Sequence, residues 1–474
     1  MGFNMQTPEK ILIIGAGPTG LGAAWRLQEL HHENWTLIDA SPAAGGLSSS
    51  VIDHAEFTWD LGGHVVFSHY AYFDELIDKA MQGQWIYHNR EAWVWMNERF
   101  IPYPLQHNVW QLPNDVLIPI LESLVELHQT PDKPNPSHFK DWLLTHFGAG
   151  LCDAFMFPYN FKVWGYKPED MSCNWCGERV AAIDLKRTLR NLINRHSDIT
   201  WGPNATFRFP SQGGTGSIWR SLASMLPSQN VLYSNRVTKI DPHRRIVLCD
   251  NNQQFNYDKL ITTTPLDLLL TYLVDCPTLS CKANQFRYSS TYIFGIGIDE
   301  PVPDILKTKC WMYFPEEIYP FYRVTVFSNY APSNVPRQTM QYSLMAEVCQ
   351  TSEKPVDSSR LETQVLEGLY QSRLIRRDAK IASVFSQRLE HGYPTPFQGR
   401  DELLSDVQPK LEAMNIFSRG RFGGWRYEVS NQDHSVMQGV EIVNRLLLNM
   451  QEMTYTNPNE ANRCKHPIAT HRPE

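Results

Sequence analysis

The chain has no apolar run long enough, and free enough of Gly and Pro, to cross a bilayer, so no membrane-spanning helix is expected. Met1 to Lys10 lacks the apolar centre of a secretory signal, and Gln6 stands where a myristoylation motif carries Ser or Thr. A cytoplasmic protein with no membrane insertion is the expectation. Cysteine is scarce: nine in 474 residues, an odd number without repeating spacing, fits reduced thiols and not a disulfide scaffold. The one close pair, Cys173 and Cys176, lacks a second pair or His ligands at zinc spacing, so ordinary thiols and no metal are expected. Basic charge is not in excess either. With 43 Lys and Arg against 50 Asp and Glu, the net charge of −7 argues against nucleic acid or an anionic membrane as partner. An anionic ligand must meet a local basic cluster. Internal repeats and low-complexity tracts are also missing.

What is present is length and aromatic surface. A chain of 474 residues exceeds one ordinary core, so two or three packed units around a shared site are expected. Aromatics make up 12% of the residues, enough flat rings to stack on a sugar or base as well as to fill cores. The first unit is legible at once. Ile11 to Ile14 is an apolar strand, Leu21 to Leu30 an apolar-periodic helix, and Trp35 to Ile38 a second strand, which together make a βαβ unit. Gly15-Ala16-Gly17-Pro18-Thr19-Gly20 lies at its first turn, where backbone N–H groups and the helix dipole can face a diphosphate. Asp39 follows Gly15 by 24 residues, at the end of the second strand, where an acid accepts from ribose hydroxyls.

Downstream, Pro104 to Arg195 reads as mainly helical, with runs at Val116 to Leu127 and Arg187 to Arg195. Strand-like runs return from Val231 to Thr264. Tyr292 to Ile298, Trp311 to Phe314, Phe321 to Phe327 and Gln341 to Val348 suggest an antiparallel sheet, and His434 to Leu448 a closing amphipathic helix.

Gly45-Gly46-Leu47 resembles the second glycine pair of the amine-oxidase type of flavoprotein fold, which binds FAD extended. The run Tyr257 to Pro265 resembles the strand that returns to such an FAD domain. Longer strings narrow the resemblance: Gly62 to Tyr70 (Gly-Gly-His-Val-Val-Phe-Ser-His-Tyr), Phe157 to Trp164 (Phe-Pro-Tyr-Asn-Phe-Lys-Val-Trp), Gly177 to Ala182 (Gly-Glu-Arg-Val-Ala-Ala) and Gly423 to Ser435. With Pro203 to Pro210, Gly213 to Gly216 and His391 to Pro396, they closely resemble the UDP-galactopyranose mutase family of eukaryotic type over nearly the whole chain.

That resemblance implies an α/β chain: a discontinuous Rossmann-like FAD-binding domain over 1–100, 200–275 and 385–474, a helical uridine-binding domain over 101–199, and an antiparallel-sheet substrate domain over 276–384. It implies an isomerase interconverting UDP-galactopyranose and UDP-galactofuranose, the latter a nucleotide sugar for galactofuranose-containing glycans. In the family, N5 of reduced FAD attacks the anomeric carbon and UDP leaves, giving a covalent flavin–sugar adduct with no net redox change. NADPH serves there only to reduce the flavin.

Residue roles carry over by motif. Gly15, Gly17, Pro18, Thr19, Gly20, Asp39, Gly45, Gly46, Leu47, Gly62 and Gly63 are implied to hold FAD, joined by Arg421, Asn431, Gln432 and Ser435. His64 is the implied modulator beside the flavin. Arg179 and Arg323 are implied to hold the departing diphosphate; UDP carries about two negative charges and each charge-assisted contact contributes about 1.5–3 kcal/mol. Tyr313, Tyr393 and Tyr427 offer hydroxyls to phosphate. Phe155 is implied to stack on uracil, Tyr103 and Gln106 to contact the nucleoside, Asn160 and Trp164 to lie nearby, and Asn204 to face galactose. Arg90 corresponds to a basic residue linked to the flavin, while Ala92 stands where some members carry Ser. An oligomer is possible.

Two other readings share the architecture. A flavin oxidase or dehydrogenase would let substrate reduce the flavin, and a non-enzymatic binding protein of the GDP-dissociation-inhibitor kind would lack flavin.

Overall fold

A computed structural model of the chain describes residues 8–129, 135–176, 183–199 and 205–467. The apolar strand Ile11–Ile14 is fully enclosed because it lies at the centre of a five-stranded parallel sheet. Its neighbours are Lys259–Thr262 and Trp35–Ile38, with Ile416–Ser418 and Val231–Leu232 at the edges. Strand periodicity divides its side chains: Ile11 and Ile13 join one core, Leu12 and Ile14 the other. The sheet is therefore assembled from stretches hundreds of residues apart.

Two helices cover one face, Pro18–Glu29 and the closing Gln432–Leu448, and they pack without intervening side chains. A Cβ at Gly439 would meet the Thr19 carbonyl oxygen at 2.0 Å, and one at Gly22 the Val436 carbonyl oxygen at 2.5 Å. Only glycine permits this approach, which brings both helix N-termini to one side of the molecule.

The second sheet has seven strands in the order Ile381–Pro394, Tyr288–Ile298, Tyr342–Gln350, Arg323–Val326, Trp311–Tyr313, Ala92–Met96 and Arg99–Pro102. It is mixed and not wholly antiparallel as expected, because Trp311–Tyr313 pairs in parallel with Ala92–Val94. The hairpin that supplies this pair turns at Asn97 and Glu98, both in the left-handed region at φ 52° and 56°. One sheet face packs Val324, Val326, Leu344, Ala346 and Val348 toward the helix Ser358–Gln371. The alternate residues, including Arg323, Met345 and Glu347, face the other way.

The expected helical stretch contains Asn114–Gln129, Phe139–Leu151, Phe157–Trp164 and Leu185–Asn194. Ile120, Leu124, Leu143, Phe147 and Leu151 form its interior. All nine cysteines are free, and burial pushes the thiols of Cys173 and Cys176 up, away from the reactive thiolate. Among the described residues, no helix is long and apolar enough to cross a membrane.

Candidate active site

The C-terminal ends of the parallel strands meet the polar face of the mixed sheet across one cavity of about 870 Å³. At its glycine end, Gly15 follows the central strand at φ +105°, and a Cβ there would meet Thr263 Oγ1 at 1.9 Å. Gly17 caps the first helix with no side-chain acceptor of its own, so the helix N–H groups stay available to a ligand. Gly46 adopts φ +54° and faces Gly17, with Gly45 N–H donating to the Ala16 carbonyl at 2.9 Å. The two glycine turns are thus laced together as a cradle without side chains. Asp39 lines the cavity while accepting from Ala16 N and Ser41 N, each at 2.6 Å. Pro18, Thr19 and Leu47 also line it; Gly20 and Gly45 stand behind the wall. A Cβ at Gly20 would meet the Gly15 carbonyl oxygen at 1.8 Å, so that glycine seats helix against turn.

The turn Gly62-Gly63-His64 forms the middle of the cavity. Burial pushes the His64 imidazole down to about 4, reinforced by the nearby cations Arg421 and Arg323 and opposed by Glu347, so the ring is neutral at pH 7. Its Nδ1 is buried without a hydrogen-bond partner among the described residues. A buried orphan nitrogen beside a side-chain-free cradle fits a ligand that brings its own hydrogen-bonding edge, as an isoalloxazine does.

Arg323 lines the far end of the cavity and pairs directly across the strands with Glu347. Its Nε and Nη2 donate to Glu347 Oε1 and Oε2 at 2.7 and 2.9 Å. Nη1 is left without a partner among the described residues. Burial alone would raise the Glu347 pKa, but Arg323 and the Tyr322 hydroxyl hold the carboxyl below its ordinary value. Around Arg323 stand Tyr313, Tyr393 and Tyr427, all on the cavity wall. Burial raises the Tyr393 pKa, which keeps it a phenol donor. Arg421 lies over the Tyr393 ring at 4.8 Å and donates to the Gly392 carbonyl at 3.0 Å; Arg90 lies over Trp311 at 4.7 Å.

Several expected nucleoside contacts are not brought to the cavity surface. Phe155 and Trp164 are each 2% exposed and Gln106 1%. Phe155 stacks on Tyr159 at 5.3 Å and 9°, so a protein ring already covers one of its faces. Tyr159 and Tyr103 meet Tyr313 edge-on at 5.4 and 5.1 Å, and Trp164 meets Tyr427 at 4.8 Å. These residues form an aromatic layer behind the wall. Asn160 donates to the Met156 carbonyl at 2.8 Å in its own helical segment. Arg179 and Asn204 lie outside the described residues.

The closing helix presents its N-terminus, with Asn431, Gln432 and Ser435 on the wall. Asp433, fully buried beside them, accepts from His69 N at 3.0 Å and contacts His69 Nδ1 at 2.8 Å. Despite burial, His434 and His69 hold its carboxyl well below the usual range. Donor atoms of His69, Asp433 and His434 lie within 4.8 Å of one another. The two imidazoles stack 4.9 Å apart at 29°.

The sequence reading passed over Glu347 and the pairing of His69 with Asp433, although Asp433 belongs to the segment Asn431-Gln432-Asp433 expected beside the flavin. Glu347 had a signal: a lone acid inside the otherwise apolar and small run Leu344 to Cys349 cannot be a routine strand residue. His69 had none beyond its place in the Gly62 to Tyr70 string.

Residues 18–373 match the family of flavin-containing amine oxidoreductases. A crystal structure of reduced UDP-galactopyranose mutase is 46% identical, covering 97% of this chain and 98% of that one, with a TM-score of 0.94. A candidate protoporphyrinogen oxidase from Exiguobacterium sp. 255-15 is 16% identical over 93% and 99% of the two chains, TM-score 0.71. A fatty acid isomerase from P. acnes that produces CLA is 13% identical over 94% and 100%, TM-score 0.62. The last two share the fold alone. An identity of 46% over nearly two whole chains, with the same fold, places this chain in the UDP-galactopyranose mutase family of the flavin-containing amine oxidoreductases.

Proposed function

We propose that the protein interconverts UDP-galactopyranose and UDP-galactofuranose with FAD as its cofactor, NADPH or another reductant serving only to activate it. The observation that carries this reading is the continuity of one cavity from the glycine cradle through His64 to Arg323 and the three tyrosines. A dinucleotide and a nucleotide-sugar diphosphate can meet there end to end. When bound and reduced, FAD supplies a nucleophilic nitrogen, N5, toward the anomeric carbon.

The chain's own residues supply the rest. Gly15, Gly17, Pro18, Thr19 and Gly46 offer backbone to the cofactor diphosphate, and Asp39 accepts from a ribose. The N-terminus of the closing helix, at Asn431, Gln432 and Ser435, favours the negative charge that a reduced flavin carries. Arg421 adds a cation on the same side. Neutral His64 offers a ring nitrogen without placing another charge in the site. Arg323 Nη1, the Tyr313, Tyr393 and Tyr427 hydroxyls and Arg179 hold the departing diphosphate; Asn204 and Asn431 approach the sugar. The Phe155–Tyr159 stack, flanked by Tyr103, Gln106, Asn160 and Trp164, receives uracil once Tyr159 yields its place. These roles divide among a discontinuous cofactor domain, a helical uridine domain and the sheet.

Incubating oxidised and dithionite-reduced holoenzyme with UDP-galactofuranose and separating the nucleotide sugars tests the reading. Conversion to UDP-galactopyranose by the reduced form alone is expected. Substrate-driven flavin reduction with peroxide release would instead favour an oxidase.

A further inference from the structure

Lys162 lies in the string Phe157 to Trp164, yet neither the cofactor cradle nor the diphosphate end uses it. It belongs to the helix Phe157–Trp164 and is 6% exposed, an enclosure that lysine seldom accepts. Its Nζ donates to the Glu316 carbonyl at 2.8 Å and to the Tyr319 carbonyl at 2.7 Å. Both carbonyls lie in the turn that joins the antiparallel strands Trp311–Tyr313 and Arg323–Val326, and Tyr313 and Arg323 are the last facing pair before that turn. The turn is itself braced: Tyr319 N–H donates to the Glu316 carbonyl at 3.3 Å, and Trp95 Nε1 to the Tyr319 hydroxyl at 2.8 Å. Burial and the Lys354 charge push the ammonium well below its ordinary range, opposed by Glu316 and Glu317. An enclosed amine costs desolvation that an apolar side chain would not, so filling space does not account for it.

The same helix also meets the hairpin through Tyr159, whose ring lies edge-on to Tyr313 at 5.4 Å. On the functional reading above, Tyr159 yields its place to a base, so that contact goes when substrate arrives. The Lys162 bonds, directional and made to backbone, still hold helix to hairpin. We propose that Lys162 is a positioning residue that fixes the distance between the nucleoside layer at Phe155 and Tyr159 and the diphosphate groups Tyr313 and Arg323, so that both halves of UDP are held at once. The inference rests on that functional reading. A ligand of two linked halves gains affinity only when its subsites stand at the span of its own bonds. A helix free to slide on the hairpin forfeits that gain and leaves each subsite intact.

The test measures inhibition constants for UDP, uridine and inorganic pyrophosphate against turnover of dithionite-reduced holoenzyme, in the wild type and in Lys162→Met, Lys162→Gln and Lys162→Arg. Lys162→Met is expected to raise the UDP constant at least about tenfold and to leave those of uridine and pyrophosphate within about twofold of wild type. KM for UDP-galactofuranose is expected to rise with the UDP constant while kcat stays within about threefold, because what weakens is binding common to ground and transition states. Lys162→Arg, which keeps N–H donors for both carbonyls, is expected to hold every constant within about threefold of wild type. Lys162→Gln, too short to reach both carbonyls, is expected to behave as Lys162→Met and carries the test if that variant does not fold. A UDP constant unchanged in both variants overturns the proposal. So does a loss shared equally by UDP, uridine and pyrophosphate, which is what a merely structural lysine would give. Wild-type enzyme that shows no turnover, or that UDP does not inhibit, would overturn the functional reading itself.

Discussion

At the scale of single residues, charge is arranged so that few groups act alone. Arg323 is half-committed to Glu347, and Arg421 to Ser430 and Gly392, so each offers the cavity a fixed and not a swinging cation. On the proposed function, replacing Arg323 with Ala removes a diphosphate contact, and it leaves Glu347 as a buried carboxylate without its arginine partner. The expected result is a loss of more than about tenfold in kcat/KM, about 1.4 kcal/mol or more of transition-state stabilisation. Arg179→Ala, matched to the family by its string, is expected to fall by the same order. Steady-state kinetics of the reduced enzyme check both, and near-normal turnover removes either assignment. At this scale the two glycine turns and Arg323, which the structure brings to one cavity, were legible in the sequence because each sits in a local string; Arg179 lies outside the described residues. The aromatic layer was not: whether Phe155 shows its face to a ligand or to Tyr159 depends on how two helical segments settle, which no spacing records.

At the scale of elements, the helices Pro18–Glu29 and Gln432–Leu448 make the cofactor end by packing backbone to backbone. Gly439→Ala places a methyl 2.0 Å from the Thr19 carbonyl oxygen, so the helices must part. A destabilisation of about 1–3 kcal/mol is expected, with FAD retained less tightly. Thermal melts and the flavin content of purified protein would measure it; unchanged values in both would show that this contact does not set the cradle. The same closing helix carries Glu441, buried and accepting from Thr454 N at 2.8 Å and Thr454 Oγ1 at 2.7 Å. Burial pushes its carboxyl up to about 7, against those hydrogen bonds and with Glu452 adding to the rise. The folded state then binds more protons than the unfolded one between about pH 4.3, the ordinary Glu value, and 7, so this group lowers stability as pH rises through that window. Glu441→Gln lacks the titration. Its Tm relative to wild type should climb between pH 5 and 8, and a pH-independent difference would refute the assignment. The βαβ unit and the closing helix were readable because their periodicity is strong. The strands Ala92–Met96 and Ile381–Pro394 were not placed in the second sheet. The first pairs with a strand more than 200 residues away, and the exposed positions of the second carry no clean alternation.

At the scale of the whole molecule, the βαβ turn alone spoke only for dinucleotide binding and would have suggested net redox chemistry. What redirects it is the juxtaposition of that turn with the His64 turn, Arg323 and the closing helix around one cavity, drawn from residues far apart in the chain. Sequence strings anticipated the membership of this assembly. They could not supply the cross-strand carboxylate that pairs with Arg323, because register between Arg323 and Glu347 is a property of the folded sheet. The central claim is that the flavin acts as a nucleophile toward sugar and takes no net electrons. It is tested most directly by incubating dithionite-reduced enzyme with UDP-galactose and cyanoborohydride, then weighing the released flavin. The account predicts flavin heavier by one hexose; flavin of unchanged mass, with no furanose–pyranose exchange in the same preparation, would contradict it.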